Sequence, residues 1–299
     1  MKKLLTAVLA LMLVLSFAAC AAPAPSATTS ASESPSVSQE PSESPSESAP
    51  AETSEAADQS WQAIEDKGSF TLGFDQAFPP MGFKDENGDF VGFDIDMAKE
   101  VASRLGLELN LQPVNWDTKS VELSGGNIDV IWNGLTINDD NKKDMLFSDP
   151  YMNNRQIIVV AADSDINTIA DLAGKVVAAQ IDSSGLAAIE AQPDVKATFA
   201  DLIQAPDYVE AFMELKQGTI DAVVVDEIFG RYHIAQENAA DTYRVLDESL
   251  GDEQYGIGFR TGDQAFRDKI QETLNAMIAD GKAAEISQKW FGENIVIGG

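Results

Sequence analysis

Glu122-Leu123-Ser124-Gly125-Gly126-Asn127-Ile128-Asp129-Val130-Ile131 is matched, 92 residues further along the chain, by Glu214-Leu215-Lys216-Gln217-Gly218-Thr219-Ile220-Asp221-Ala222-Val223. Each stretch reads as the end of an amphipathic helix, a Gly stop and then an apolar strand. Joints between helix and strand are common enough to coincide by chance. A shared Glu-Leu, Gly and Ile-Asp in register point instead to two lobes that each contain one supersecondary unit. The flanking segments agree. Phe70–Phe74 reads as a strand, and Met81–Lys84 with Asp89–Phe93 as a hairpin around Asn87-Gly88. That Asn-Gly turn also accounts better than a calcium loop for the acids at Asp85 and Asp89, since Gly88 stands at the wrong place for an EF-hand. A helix over Ile95–Leu105 is predicted, with Asp94 as N-cap and Gly106 as stop. Further strands are expected at Ile128–Trp132, Val176–Gln180 and Ile220–Val225. Further helices are expected at Gly185–Ala191, Tyr208–Leu215, Gln264–Ile278 and Ala283–Trp290. Alternation of this kind argues for α/β lobes with mostly parallel sheets.

Composition divides the rest of the chain. Residues 1–20 carry Lys2 and Lys3, an apolar run from Leu4 to Leu15, and Phe17-Ala18-Ala19 before the sole cysteine, Cys20. This is a secretory signal, too short for a stable membrane span. It is either an ordinary signal peptide or a lipobox whose Cys20 becomes the lipidated first residue. Phe17 departs from the Leu usual three residues before that cysteine. Residues 21–60 hold no Lys, Arg or aromatic residue and repeat Ser-Glu-Ser-Pro, which predicts a disordered spacer. From Trp61 onward the chain is long enough for a large core or two smaller ones, and it contains no cysteine to staple them. A net charge of −29 for the whole chain argues against nucleic acid or anionic lipid as partners.

Ligands of parallel α/β sheets bind beyond the carboxyl ends of the strands. Three clusters answer that rule: Asn133-Gly134-Leu135-Thr136, Asp182-Ser183-Ser184, and Asp226. Ser183 and Ser184 open a helix, where they serve equally as a cap or as part of an anion site. Asp226 suits a ligand ammonium, with an N-cap for Glu227–His233 as the plainer role. Phe78 and Trp116 fall in turns and are candidate pocket walls or core residues. His233 has no partner at metal-ligand spacing, and there is no zinc cluster, Gly-rich phosphate loop or nucleophile elbow. No metal and no cofactor are expected.

Gly92-Phe93-Asp94-Ile95-Asp96-Met97, followed by Val101-Ala102 and Leu105, resembles the signature of family 3 extracellular solute-binding proteins, the amino-acid receptors of ABC importers. The likeness extends from about Trp61 to Gly292 and includes Phe147-Ser148-Asp149-Pro150-Tyr151. It implies a two-lobed, type II periplasmic-binding-protein-like α/β fold with a ligand cleft between the lobes. Lobe 1 would comprise residues 61–154 and 250–299, and lobe 2 residues 155–249. By position, Phe78 and Trp116 match aromatics that sandwich the ligand, and Asp75 a residue near its side-chain end. Gly134 and Thr136 match groups at the α-amino and α-carboxylate, Ser184 a carboxylate donor, and Asp226 the ammonium partner. Two positions depart from the pattern. Asn141 stands where an Arg normally forks onto the ligand carboxylate, and Asp182 where Gly is usual. Both changes weaken anion binding, and Lys142 or Lys143 would compensate only through a backbone shift.

The resemblance implies a non-enzymatic, monomeric receptor that closes on an amino acid or related amine. It would deliver this ligand to permease subunits from a lipid anchor on the outer face of the cell membrane. The same fold also supports dehydratases acting on prephenate-like acids, for which the loss of Arg at 141 is unfavourable. A ligand-sensing partner of a membrane receptor is a third reading.

Overall fold

The structure is a computed structural model that describes residues 58–236 and 239–298; the expectations for Cys20, the signal and nearly all of the spacer lie outside the described residues. Among the described residues one nine-stranded sheet forms the frame. In spatial order its strands are Asp201–Ala205, Val176–Gln180, Ala222–Asp226, Met152–Ala161, Tyr243–Arg260, Val130–Thr136, Ser69–Phe74 and Glu108–Pro113, with Met145–Phe147 also pairing to Tyr243–Arg260. The three strands on each flank run parallel, whereas Met152–Ala161 and Tyr243–Arg260 pair antiparallel at the centre. These two long strands carry the chain between the halves, and Ile157, Ile158, Val159 and Val160 are buried within the first of them.

The repeat at 122 and 214 does the same work in both halves. Asp129 donates its N–H to the Thr71 carbonyl at 2.7 Å, and its carboxylate accepts the Thr71 N–H at 2.9 Å. Asp221 donates to the Val176 carbonyl at 2.8 Å and accepts the Val176 N–H at 2.7 Å. Each Ile-Asp therefore pins the strand that follows it to a parallel neighbour by satisfying both of one residue's backbone groups. Upstream, Lys119–Ser124 and Tyr208–Gln217 are the two helices, followed by Gly126 and Gly218 at φ +77° and +72°.

Two boundaries differ from expectation in ways that matter for the site. The strand expected at Ile128–Trp132 continues to Thr136, so Asn133, Gly134 and Thr136 belong to the strand itself. Pairing with Tyr243–Arg260 extends to Tyr255↔Thr136 across a bulge, and every residue of Val130–Thr136 is buried. Similarly, Asp226 is the last residue of Ala222–Asp226. A run buried on both faces has no polar alternation to mark its end.

The helix expected at Ile95–Leu105 begins at Phe93, and Asp94 is not its cap. The Asp94 carboxylate instead accepts the Gly134 N–H at 2.8 Å and the Tyr151 hydroxyl at 2.9 Å, joining both signature segments to the cavity strand. Burial pushes this carboxyl up to about 7, from an ordinary 3.8. The folded state thus holds a proton that the unfolded state releases. Its contribution is present below about pH 4 and is lost as pH rises to about 7, an effect of at most roughly 4 kcal/mol. Asp94→Asn keeps an oxygen acceptor without the charge. Urea unfolding across this range should show the stability difference between variant and wild type growing in favour of Asn as pH rises; a pH-independent difference would refute the assignment.

The hairpin forms as expected, with Phe83↔Val91 and Lys84↔Phe90 paired and Asp85 accepting the Asn87 and Asp89 N–H groups. His233 stacks on Phe229 with centroids 5.8 Å apart, which gives it a packing role.

Candidate functional site

Strand ends from both flanks converge on one cavity. All eleven expected ligand-contact residues line it: Asp75, Phe78, Trp116, Asn133, Gly134, Thr136, Asn141, Asp182, Ser183, Ser184 and Asp226. The structure then separates their duties. Asn133 is wholly buried and accepts the Asp75 N–H at 3.1 Å, bracing the loop after Ser69–Phe74. Ser183 caps the helix Ser184–Glu190, accepting the Leu186 N–H at 3.1 Å while donating to the Gln180 carbonyl at 2.7 Å. Ser184 is left to face the cavity floor. Gly134 sits at φ +61°, and a Cβ there would lie 2.9 Å from the Phe78 ring, so glycine lets that aromatic wall close down. Phe78 packs in turn against Phe229 and Tyr208, at 5.4 and 6.0 Å between centroids.

Asp226 is 3 % exposed and directly precedes the helix Glu227–Gln236. Its Oδ1 accepts from Asn154 Nδ2 at 2.7 Å, Gln156 Nε2 at 3.0 Å and the Tyr255 hydroxyl at 2.7 Å. Burial, then the neighbouring Glu253 carboxylate, push the Asp226 carboxyl well above the usual range. Asp75 is also raised by burial; it accepts from the Ala77 N–H at 2.8 Å and from Gln180 Nε2 at 2.7 Å.

The two departures at 141 and 182 have structural partners. Asn141 donates its side-chain amide to the Thr136 carbonyl at 2.8 Å. Asp182 adopts φ +55°, the left-handed conformation that favours glycine. Its carboxylate and carbonyl both accept from Lys119 Nζ, a buried ammonium that also donates to the Trp116 carbonyl at 3.2 Å and lies 5.0 Å from the Trp116 ring centre. Burial pulls the Lys119 ammonium down, and Asp182 opposes that shift. Lys142 and Lys143 do not line the cavity, and Lys143 pairs with Asp140.

Lys119, Gln180, Tyr208 and Glu253 were not singled out from the sequence. Lys119 had a signal, since it falls at helical spacing between Trp116 and Leu123, on their apolar face. Gln180 also had one, as the polar end of an apolar strand. Glu253 had none, because the strand that carries it alternates with neither period.

The sequence from 70 to 293 matches the model of the bacterial extracellular solute-binding proteins, family 3. The chain belongs to that family. It is 32% identical over 248 residues to the ABC transporter glutamine-binding protein GlnH of Bacillus subtilis, covering 81% of this chain and 88% of that one. Its fold superposes with a TM-score of 0.78, at 38% identity, on an ABC uptake transporter substrate-binding protein from Streptococcus pneumoniae with bound histidine, over 81% of this chain and 99% of the other. An ancestral amino-acid-binding protein described as a precursor of cyclohexadienyl dehydratase superposes at 0.70 with 31% identity, over 77% and 98% of the two chains. The family member described here is thus an extracellular solute-binding protein with a mixed α/β, type II periplasmic-binding fold.

Proposed function

We propose that this protein captures a small amine-bearing solute of the amino-acid class and delivers it to the permease of an ABC importer. Asp226 would take the ligand ammonium, Phe78 and Trp116 its body, and Asp75 with Gln180 the far end. The observation that carries this reading is the placement of a buried, hydrogen-bonded carboxylate at the floor of an aromatic-walled cavity. Such a carboxylate recovers its charge most readily beside a cation. A relative named as glutamine-binding and a solved neighbour with bound histidine support the amino-acid class. Residues 61–154 with 250–299 and residues 155–249 would move as the two lobes, hinged on Met152–Ala161 and Tyr243–Arg260. Calorimetry of the purified protein against the standard amino acids and polyamines tests the assignment, and an absence of heat with all of them would end it.

We further propose a lipid anchor at Cys20, since acyl chains add about 0.8 kcal/mol of membrane affinity per buried CH₂ and keep a receptor beside its permease. Cys20→Ala is expected to release the protein into the medium; retention of the variant at the membrane would refute the anchor. The ancestral neighbour brings a dehydratase to mind as a second reading. Turnover of arogenate or prephenate is the measurement that separates it from binding. Among the residues lining the cavity the sole cation, Lys119, is already held by Asp182, which disfavours a carboxylated ring substrate.

A further inference from the structure

Glu253 approaches the cavity floor from the central strand Tyr243–Arg260. Its Oε1 lies 3.0 Å from Thr136 Oγ1 and 3.4 Å from Ser184 Oγ, and accepts from Asn154 Nδ2 at 2.6 Å and Gln156 Nε2 at 2.8 Å. A hydroxyl has one hydrogen to donate, and the Glu253 oxygen it meets accepts. The Thr136 hydrogen therefore points at Glu253, away from the cavity. The Ser184 hydroxyl has the same acceptor within reach at 3.4 Å. What Thr136 and Ser184 then present to a ligand is lone pairs, and Asp226 beside them is another acceptor. The one cation lining the cavity, Lys119, is spent on Trp116 and Asp182, and Asn141 commits one of its two amide hydrogens to the Thr136 carbonyl.

We infer that Glu253 is a specificity-determining residue: by drawing the Thr136 and Ser184 hydroxyl protons to itself, it makes this end of the cavity a receptor for a cationic nitrogen and a poor one for a carboxylate. Amines that lack the α-carboxylate then bind at least as tightly as the amino acids they correspond to. The inference rests on the solute-binding reading above and deepens it. Glu253→Ala removes the shared acceptor and so frees both hydroxyl hydrogens for the ligand.

The test is calorimetric titration of the purified full-length protein with four matched pairs: arginine and agmatine, lysine and cadaverine, ornithine and putrescine, histidine and histamine. In the wild type the amine of a binding pair should have a Kd equal to or below that of its parent. In Glu253→Ala the ratio should move at least tenfold toward the amino acid. A wild-type preference of tenfold or more for the parent amino acid overturns the inference and leaves solute capture standing, and this readout needs no variant to fold. An unchanged ratio in a folded Glu253→Ala protein likewise overturns it. Silence across all eight compounds, with heat from a neutral amino acid alone, overturns the cationic class while solute capture survives; silence with every solute removes both.

Discussion

Asp226→Asn is expected to weaken ligand binding by about a hundredfold or more while raising the melting temperature of the empty protein. A hundredfold corresponds to about 2.7 kcal/mol. That lies within the range of roughly 1.5–3 kcal/mol for a hydrogen bond to a charged group, and removing one partner of a buried ion pair costs about 3–5 kcal/mol. The opposite sign for the empty protein follows from the same carboxyl. It is buried beside Glu253 and its pKa is raised, so ionising it in the absence of a cation is unfavourable. Asn at 226 keeps an oxygen for Tyr255 and Asn154 and supplies an N–H for Glu253. Calorimetric titration and thermal melting together check the pair of signs; binding within threefold of wild type would refute the ammonium assignment.

The pH dependence has a definite direction. In the empty protein Asp226 holds its proton to a higher pH than an unfolded aspartate does, so the group's stabilising contribution is lost as pH rises through its folded value. A bound cation favours the ionised form. Affinity for a permanently cationic ligand should therefore fall as pH drops through that value, and binding should release a proton. Titrations in buffers of different ionisation enthalpy detect that release, and Asp226→Asn should abolish it.

Gly92→Ala is expected to be the most damaging single-methyl change outside the cavity. Gly92 has φ +145°, and a Cβ there would lie 2.2 Å from the Met81 carbonyl oxygen and 2.6 Å from its carbon. Neither neighbour can swing away, because both are backbone. Pro80 and Met81 are themselves tied to the helix start, accepting the Phe93 and Asp94 N–H groups at 2.7 and 2.9 Å. Strain and clash together should cost about 3 kcal/mol or more, roughly a 6–12 °C fall in melting temperature for a domain of this size. Gly106→Ala is the matched control: φ is +69° but no atom lies within 4 Å of the added Cβ, so the cost is about 1 kcal/mol. Equal losses for the two variants would mean that the Met81 contact is not rigid.

Gly92 shows how local information became legible in the sequence. The glycine, the apolar stripe behind it and the Gly106 stop lie within one helix length, so their spacing alone carries the element. The repeat at 122 and 214 was legible for a similar reason, each unit being a contiguous helix, turn and strand. Asp94 was misread as a cap because its real partners, Gly134 and Tyr151, are 40 and 57 residues away. The end of Val130–Thr136 was misplaced because a strand buried on both faces lacks alternation.

Asn133–Thr136, Asp182–Ser184 and Asp226 were readable from the strand-end rule and Phe78 and Trp116 as aromatics in turns, whereas Asp75 and Asn141 came from the family resemblance alone. By itself the sequence determined the two repeated units, the family signature and the eleven positions that meet at the cavity. Only the tertiary structure decided what those positions do. Lys119 meets Asp182 across 63 residues, and Thr136 meets Glu253 across 117. A side chain's hydrogen-bond direction is set by the partner that reaches it through space, and no spacing along the chain encodes that partner.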